Sequence, residues 1–220
     1  MHIFSFFRRT TLTFVKKVHE KDDVYTFFFT PKKPIKHIAG QHSLFVFPSL
    51  LNARPFSLAS SPDEPYVIVG TRVGSGSRFK KALVNMKPGD HIQMFGPYLN
   101  FITPQDDRPI IMLAQGIGIT PFRSLLLWLH AHQPARSTTL IHVDSADHTY
   151  RSETSALAQQ SSYPTTPQSF TGALEGAAKQ QPAAWWYISG SPRFVRGATK
   201  LLKEHGVSAR FIKKDGFLGY

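Results

Sequence analysis

The chain is 220 residues long, 41% hydrophobic and 18% charged, so it can bury a sizeable core and is not a disordered polypeptide. It contains no cysteine, which excludes disulfides, thiolate nucleophiles, Cys-ligated zinc and any iron–sulfur cluster carried on this polypeptide. Lys plus Arg is 26 against 14 Asp plus Glu, a net charge of +12, which favours anionic partners.

The N-terminus runs apolar and then basic, with Phe4, Phe6 and Phe7 before Arg8 and Arg9. A secretory signal has the reverse order, so this segment is read as leading into a first strand, with peripheral membrane contact as the alternative. The absence of a signal peptide suggests a cytoplasmic location. Up to about residue 103 the sequence reads as short strands rich in aromatic and β-branched residues: 10–18, 25–30, 43–47, 55–59, 66–73 and 91–95. Turn clusters such as Pro31-Lys32-Lys33-Pro34 and Pro88-Gly89-Asp90 separate them. This predicts an antiparallel β-barrel, interrupted by one helix over 78–85.

Residues 109–131 carry a single charge, Arg123. Gly116, Gly118 and Pro121 divide this stretch into a buried strand, a glycine turn and a helix rather than a membrane span. Strands over 138–143, 185–189 and 207–212 then alternate with helices over 153–160 and 194–205. Strand–helix alternation predicts a parallel sheet with helices on both faces. The Pro- and Asp-containing segment 103–109 reads as a linker, so the expected domains are 1–104 and 105–220.

Four segments carry chemistry. Arg54-Pro55-Phe56-Ser57 opens a strand on which Arg54 and Phe56 share a face, one to grip a phosphate and one to stack on a ring. Gly74-Ser75-Gly76-Ser77 precedes a helix, with Ser77 as N-cap or phosphate ligand. Gln115-Gly116-Ile117-Gly118-Ile119-Thr120-Pro121 joins a buried strand to a helix, the geometry of a pyrophosphate cradle. Ser189-Gly190-Ser191-Pro192 repeats that placement at a second strand end. The pairs Lys80-Lys81 and Lys213-Lys214 read as solvated faces or part of a docking surface. His130 and His132 point apart on a helix, and no metal site is expected. Neither a P-loop nor a nucleophile elbow is present.

In this order the segments resemble the ferredoxin–NADP(+) reductase superfamily. The resemblance rests on Gly40-Gln41, Arg54–Ser57, Gly74–Ser77, Gly96-Pro97 through Phe101, Gln115–Pro121, Ser189–Pro192 and Asp215 through Tyr220, and it spans essentially the whole chain. It implies an oxidoreductase in which a flavin lies between a barrel and a nucleotide-binding domain, takes a hydride from NAD(P)H and passes electrons on. By that resemblance Arg54, Pro55, Phe56, Ser57, Thr71, Gly74, Gly76 and Ser77 bind the flavin. Gly116, Gly118, Thr120, Pro121, Gly190 and Ser191 bind the dinucleotide. Ser57, Ser189, Asp215 and Phe217 stand at the hydride path, and the C-terminal aromatic Tyr220 also contacts cofactor. A second phosphate cradle beside Arg54 favours FAD over FMN.

Three positions depart from the family pattern: Ser189 replaces a Cys, Gln115 a Gly, and Leu99 a Gly. Asp144 favours NADH, whereas Ser145 and Arg151 favour NADPH, so the coenzyme stays open. The basic charge implies an acidic electron-carrier protein as acceptor, such as a ferredoxin or flavodoxin. The alternatives are an electron-transfer subunit working only within a larger complex and, on charge alone, a nucleic-acid binder, for which no motif is present.

Overall fold

A computed structural model describes residues 9–47, 52–98, 101, 103–145 and 147–216. The expectations placed on the N-terminal Phe cluster, Leu99, Phe217 and Tyr220 fall outside them. The chain divides into two compact units, the second beginning at Thr103.

The first unit holds β1 (Arg9–Lys21), β2 (Val24–Pro31), β3 (His42–Phe47), β4 (Asn52–Ser57), β5 (Val67–Arg72), helix α1 (Arg78–Asn85) and β6 (His91–Tyr98). The strands form one antiparallel half-barrel sheet in the order β4-β3-β6-β1-β2-β5. Alternate residues of each strand point inward, and the inner set is aromatic: Phe14, Phe27, Phe29, Phe45 and Phe56 pack with Phe79 and Leu83 of α1. The Phe14–Phe29 and Phe45–Phe56 rings meet edge to face at 5.7 and 5.5 Å, the arrangement that ring quadrupoles favour.

The second unit alternates β7 (Ile110–Gln115), a 3₁₀ turn (Gly116–Ile119), α2 (Thr120–His132), β8 (Thr138–Val143), α3 (Arg151–Leu157), β9 (Gln160–Ser162), α4 (Pro167–Gln180), β10 (Trp185–Gly190), α5 (Pro192–Glu204) and β11 (Ile212–Gly216). Its five strands run parallel in the order β11-β10-β7-β8-β9. Ile111, Leu113, Trp186 and Ile188 face α4 and α5. The intervening Ile110, Met112 and Tyr187 are equally buried, as are Phe122, Leu125 and Leu126 of α2. Strands buried on both faces read as continuous apolar runs, as Ile110–Ala114 does. Among the described residues no helix is long and apolar enough to cross a membrane.

Three elements differ from the sequence reading. The helix expected over 153–160 spans Arg151–Leu157 and gives way to the short strand β9. Helix α4 was not expected, because its sequence is rich in Gly, Gln and Ala. Only Phe170, Leu174 and Ala178, four residues apart, are buried, and Thr166 and Ser169 cap each other at its start. Serine there replaces the Glu or Gln of the usual capping box, which hid the signal. The last strand begins at Ile212 instead of Val207: Gly206, at φ +81°, ends α5, and a 3₁₀ turn at Ala209–Phe211 intervenes.

Candidate functional site: two phosphate cradles

In the first unit, three elements converge on a cationic cradle. Strand β4 presents Arg54, whose Nη1 donates to Asn52 Oδ1 at 2.7 Å and to the Ala53 carbonyl at 2.9 Å. These bonds stiffen a half-buried guanidinium. Phe56, two residues on, lies in the core against Phe45 and Phe79, and the Lys80 ammonium sits 4.7 Å above its ring. Pro55 is exposed. Ser57 faces the other way, where its Oγ meets Nε2 of buried His42, its register partner on β3, at 3.0 Å. Sequence reasoning missed His42. Its signal is its place directly after Gly40-Gln41, at the head of a strand antiparallel to the Arg54–Ser57 strand.

Strand β5 supplies Thr71, whose Oγ1 accepts from Lys80 Nζ. The loop that follows is shaped by Asp23, which takes the Arg72 guanidinium and the Gly74 N–H at 2.9 Å each. A Cβ at Gly74 would lie 2.4 Å from that carboxylate, so a side chain there would push Asp23 aside and disturb its bonds to Arg72 and the Gly74 N–H. Gly76 takes φ +60°, and Ser77 caps α1, its Oγ accepting from the Lys80 N–H at 3.3 Å.

Lys80 corrects the sequence reading: it is not on a solvated face but 6% exposed. Burial, and then the like charge of Arg54, push its ammonium down to about 8, with Asp23 opposing. The residues present therefore fit an anionic group. Two cations share one cradle at a helix N-terminus, where the backbone dipole also attracts negative charge.

In the second unit, the two glycine turns lie side by side because β7 and β10 are paired, with Ser189 opposite Ala114. Gly116 takes φ +52° and opens the 3₁₀ turn. Its carbonyl accepts from Nε2 of His142 at 2.9 Å, a fully buried imidazole at the end of β8 that sequence reasoning also missed. Thr120 closes the turn, donating to the Ile117 carbonyl at 3.1 Å, and Pro121 occupies the first turn of α2. Neither the turn nor α2 has a side-chain cap, which suits a start to which a ligand brings the acceptors.

Gly118 also has a structural use that its place in the glycine turn did not announce. A Cβ there would lie 2.4 Å from the Ser189 carbonyl oxygen and 3.0 Å from the Gly190 Cα, so its bare Cα lets the two turns touch. Gly190 is enclosed in the same way by Gln115 Cβ and Phe194, each 2.9 Å from its virtual Cβ. Gln115, in place of the family's glycine, ties the turns together: its Oε1 accepts from Ser191 Oγ at 2.6 Å and from the Ser191 N–H at 3.3 Å. Ser191 Oγ in turn caps α5 by accepting from the Phe194 N–H at 3.2 Å. Ser191→Ala is expected to destabilise the unit by about 1–2 kcal/mol through loss of the cap and of that tie, as a lower urea midpoint at unchanged slope.

Ser189 is fully buried, with no partner for its Oγ among the described residues, and lies opposite Asp215 of β11. At the end of β8, the Asp144 carboxylate is buried and accepts from the Ser145 N–H at 2.8 Å, while Arg151 lies 5.0 Å from the Tyr163 ring.

No protein-family model matches the chain. It is 27% identical over 230 residues to a flavohemoprotein of Bacillus subtilis, covering 92% of this chain and 57% of that one. The chain spans 39% and 57% of the first two curated relatives' lengths. Among solved structures, a cytochrome P450 reductase from Amycolatopsis superposes with TM-score 0.81 at 20% identity, covering 96% of this chain and 70% of that one. A ferredoxin–NADP+ reductase from Neisseria gonorrhoeae, solved with FAD and NADP, gives 0.78 at 19% identity, covering 94% and 98%. The half-barrel sheet followed by a parallel sheet is the fold of these reductases, and the chain is similar in sequence to flavohemoproteins along most of its length.

Proposed function

We propose that the chain is an FAD-dependent NAD(P)H oxidoreductase unit that passes electrons to a separate acceptor. The observation that carries this reading is the convergence of Arg54, Thr71 and Ser77 from β4, β5 and the start of α1 around a buried cation, at the positions where the superfamily resemblance assigns flavin contacts. When bound there, a flavin supplies the chemistry of accepting a hydride and releasing electrons one at a time.

The chain's own residues bind, orient and exclude water. Arg54 holds phosphate oxygens through the donors that Asn52 and Ala53 leave free. Ser57 Oγ, fixed by His42 Nε2 at 3.0 Å, offers one oriented hydroxyl at the reacting edge. The Gly116–Ile119 turn and the start of α2 present N–H groups to a dinucleotide pyrophosphate. Ser189, Gly190 and Asp215 line the nicotinamide end. Gly74 and Gly76 shape the loop before Ser77, and Phe56 backs the flavin pocket from the core.

The acceptor is an acidic carrier of the ferredoxin or flavodoxin kind, which the net charge of +12 would steer to the protein. Its reduction rate is expected to fall steeply as salt rises, and a salt-independent rate would remove the acidic carrier from this account. A second reading, an electron-transfer unit that works within a larger assembly, is favoured by the greater length of the curated relatives. Arg54→Ala tests the flavin assignment. FAD affinity, read by quenching of flavin fluorescence, is expected to fall about tenfold to a hundredfold, since a charge-assisted bond contributes about 1.5–3 kcal/mol. Unchanged affinity would move the site elsewhere.

A further inference from the structure

We infer that Lys80 is a second phosphate-binding cation that works with Arg54 on the flavin's phosphate group. This inference rests on the flavin reading and goes beyond the residues that the superfamily resemblance assigns.

The first turn of α1 contains Arg78, Lys80 and Lys81 and no acidic residue. A helix N-terminus already carries partial positive charge, so three cations in that turn work against the helix unless an anion joins them. Arg78 and Lys81 are exposed and screened by solvent, whereas Lys80 is 6% exposed. A position with that burial and helical phase, next to Phe79 and Leu83 in the core, ordinarily takes an aliphatic residue.

Its ammonium is only part-satisfied. Of three N–H donors, one goes to Thr71 Oγ1, and the Phe56 ring supplies a face 4.7 Å away. The Asp23 carboxylate raises its affinity for a proton, but that carboxylate is already committed to Arg72 and to the Gly74 N–H, and Arg54 opposes it more strongly. A buried cation beside a second cation is costly unless a counter-charge arrives. The neighbours of Lys80 are Arg54, Thr71 and the Ser77 cap, the same groups that form the cradle. An anion seated between Arg54 and the start of α1 neutralises both cations at once. Riboflavin, which has no phosphate, draws nothing from this arrangement.

The test compares Lys80→Met and Lys80→Gln with the native chain after removal of bound flavin, using FAD, riboflavin and inorganic pyrophosphate as probes. The readouts are binding affinity and thermal midpoint. Lys80→Met is expected to raise the ligand-free midpoint, because a buried charge is replaced by an apolar side chain of similar length. It is expected to weaken FAD and pyrophosphate about tenfold or more while leaving riboflavin unchanged. Lys80→Gln, which keeps a donor but no charge, is expected to lose FAD affinity to a similar degree. FAD and pyrophosphate affinities unchanged in both variants would overturn the role of Lys80 and leave the flavin reading intact. A native chain that binds pyrophosphate through Lys80 but no flavin would overturn the flavin reading while the anion site stands. A native chain that binds none of the three would overturn both.

Discussion

Gly118→Ala is expected to destabilise the nucleotide-type unit by roughly 3 kcal/mol, a fall in its thermal midpoint of about 6–12 °C for a chain of this size. The new Cβ would lie 2.4 Å from the Ser189 carbonyl oxygen, 2.7 Å from the Ser189 carbonyl carbon and 3.0 Å from the Gly190 Cα. All three are backbone atoms at the end of β10, so no side chain can swing away. Relief requires the Gly116–Ile119 turn to part from the Ser189–Ser191 segment, which also stretches the 2.6 Å bond between Gln115 and Ser191. On the proposed dinucleotide reading, affinity is expected to fall with stability, because the Gly116–Ile119 turn that would meet the pyrophosphate is displaced. Gly172→Ala on α4 serves as the control. Nothing lies within 4 Å of its virtual Cβ, and it is expected to gain about 0.5–1 kcal/mol from helix propensity. Equal midpoints for the two variants would show that the contact between the turns carries no strain.

The second large effect is a pH dependence set by Lys80. Its ammonium is lowered to about 8 in the folded chain from the ordinary lysine value of 10.5. Below pH 8 both folded and unfolded chains hold the proton, and the buried charge exacts its full cost. Between about pH 8 and 10.5 the folded chain has released the proton and the unfolded chain has not, so unfolding takes up a proton and stability rises with pH. The rise is about 3 kcal/mol across the window, at about 1.36 kcal/mol for each unit separating the two values. Other groups titrate in the same range, so the informative quantity is the difference in unfolding free energy between the flavin-free native chain and Lys80→Met. That difference is expected to close as pH rises. A constant difference from pH 7 to 10 would mean that the ammonium pays no burial penalty.

Much of the fold was legible because each unit repeats one physical pattern. Aromatic and β-branched runs separated by turn clusters marked the half-barrel strands, and continuous apolar runs such as Ile110–Ala114 marked strands buried on both faces. Helix α1 was expected over the span it occupies, since Phe79 and Leu83 keep helical phase and Ser77 caps it. Helix α4 was not legible: it relies on only three buried side chains and on a Thr166–Ser169 cap without the usual carboxylate or amide. Strand β9, three residues long with its first two exposed, has no hydrophobic signature at all.

In the candidate site, the glycine and serine segments could be read from their order, because turns at strand ends leave local marks. The residues that connect them could not. His42 reaches Ser57 across fifteen positions of sequence, His142 reaches the Gly116 carbonyl across twenty-six, and Gln115 reaches Ser191 across seventy-six. Each depends on strand register, which a single sequence does not display. Lys80 is the sharpest case. Its local sequence, Arg78-Phe79-Lys80-Lys81, has the texture of a solvated face, and only the packing of α1 against β4 and β5 puts its ammonium beside Thr71 and Phe56.

The central claim is that this chain binds a flavin and lets NAD(P)H reduce it. The most direct measurement is the visible absorption spectrum of the purified chain, loaded with FAD and held without oxygen, as NADH and then NADPH are added. The account predicts a bound flavin band that bleaches on addition of nicotinamide, with the more effective coenzyme identified by the lower concentration needed. A chain that takes up no flavin, or whose bound flavin stays oxidised with both coenzymes, would contradict it.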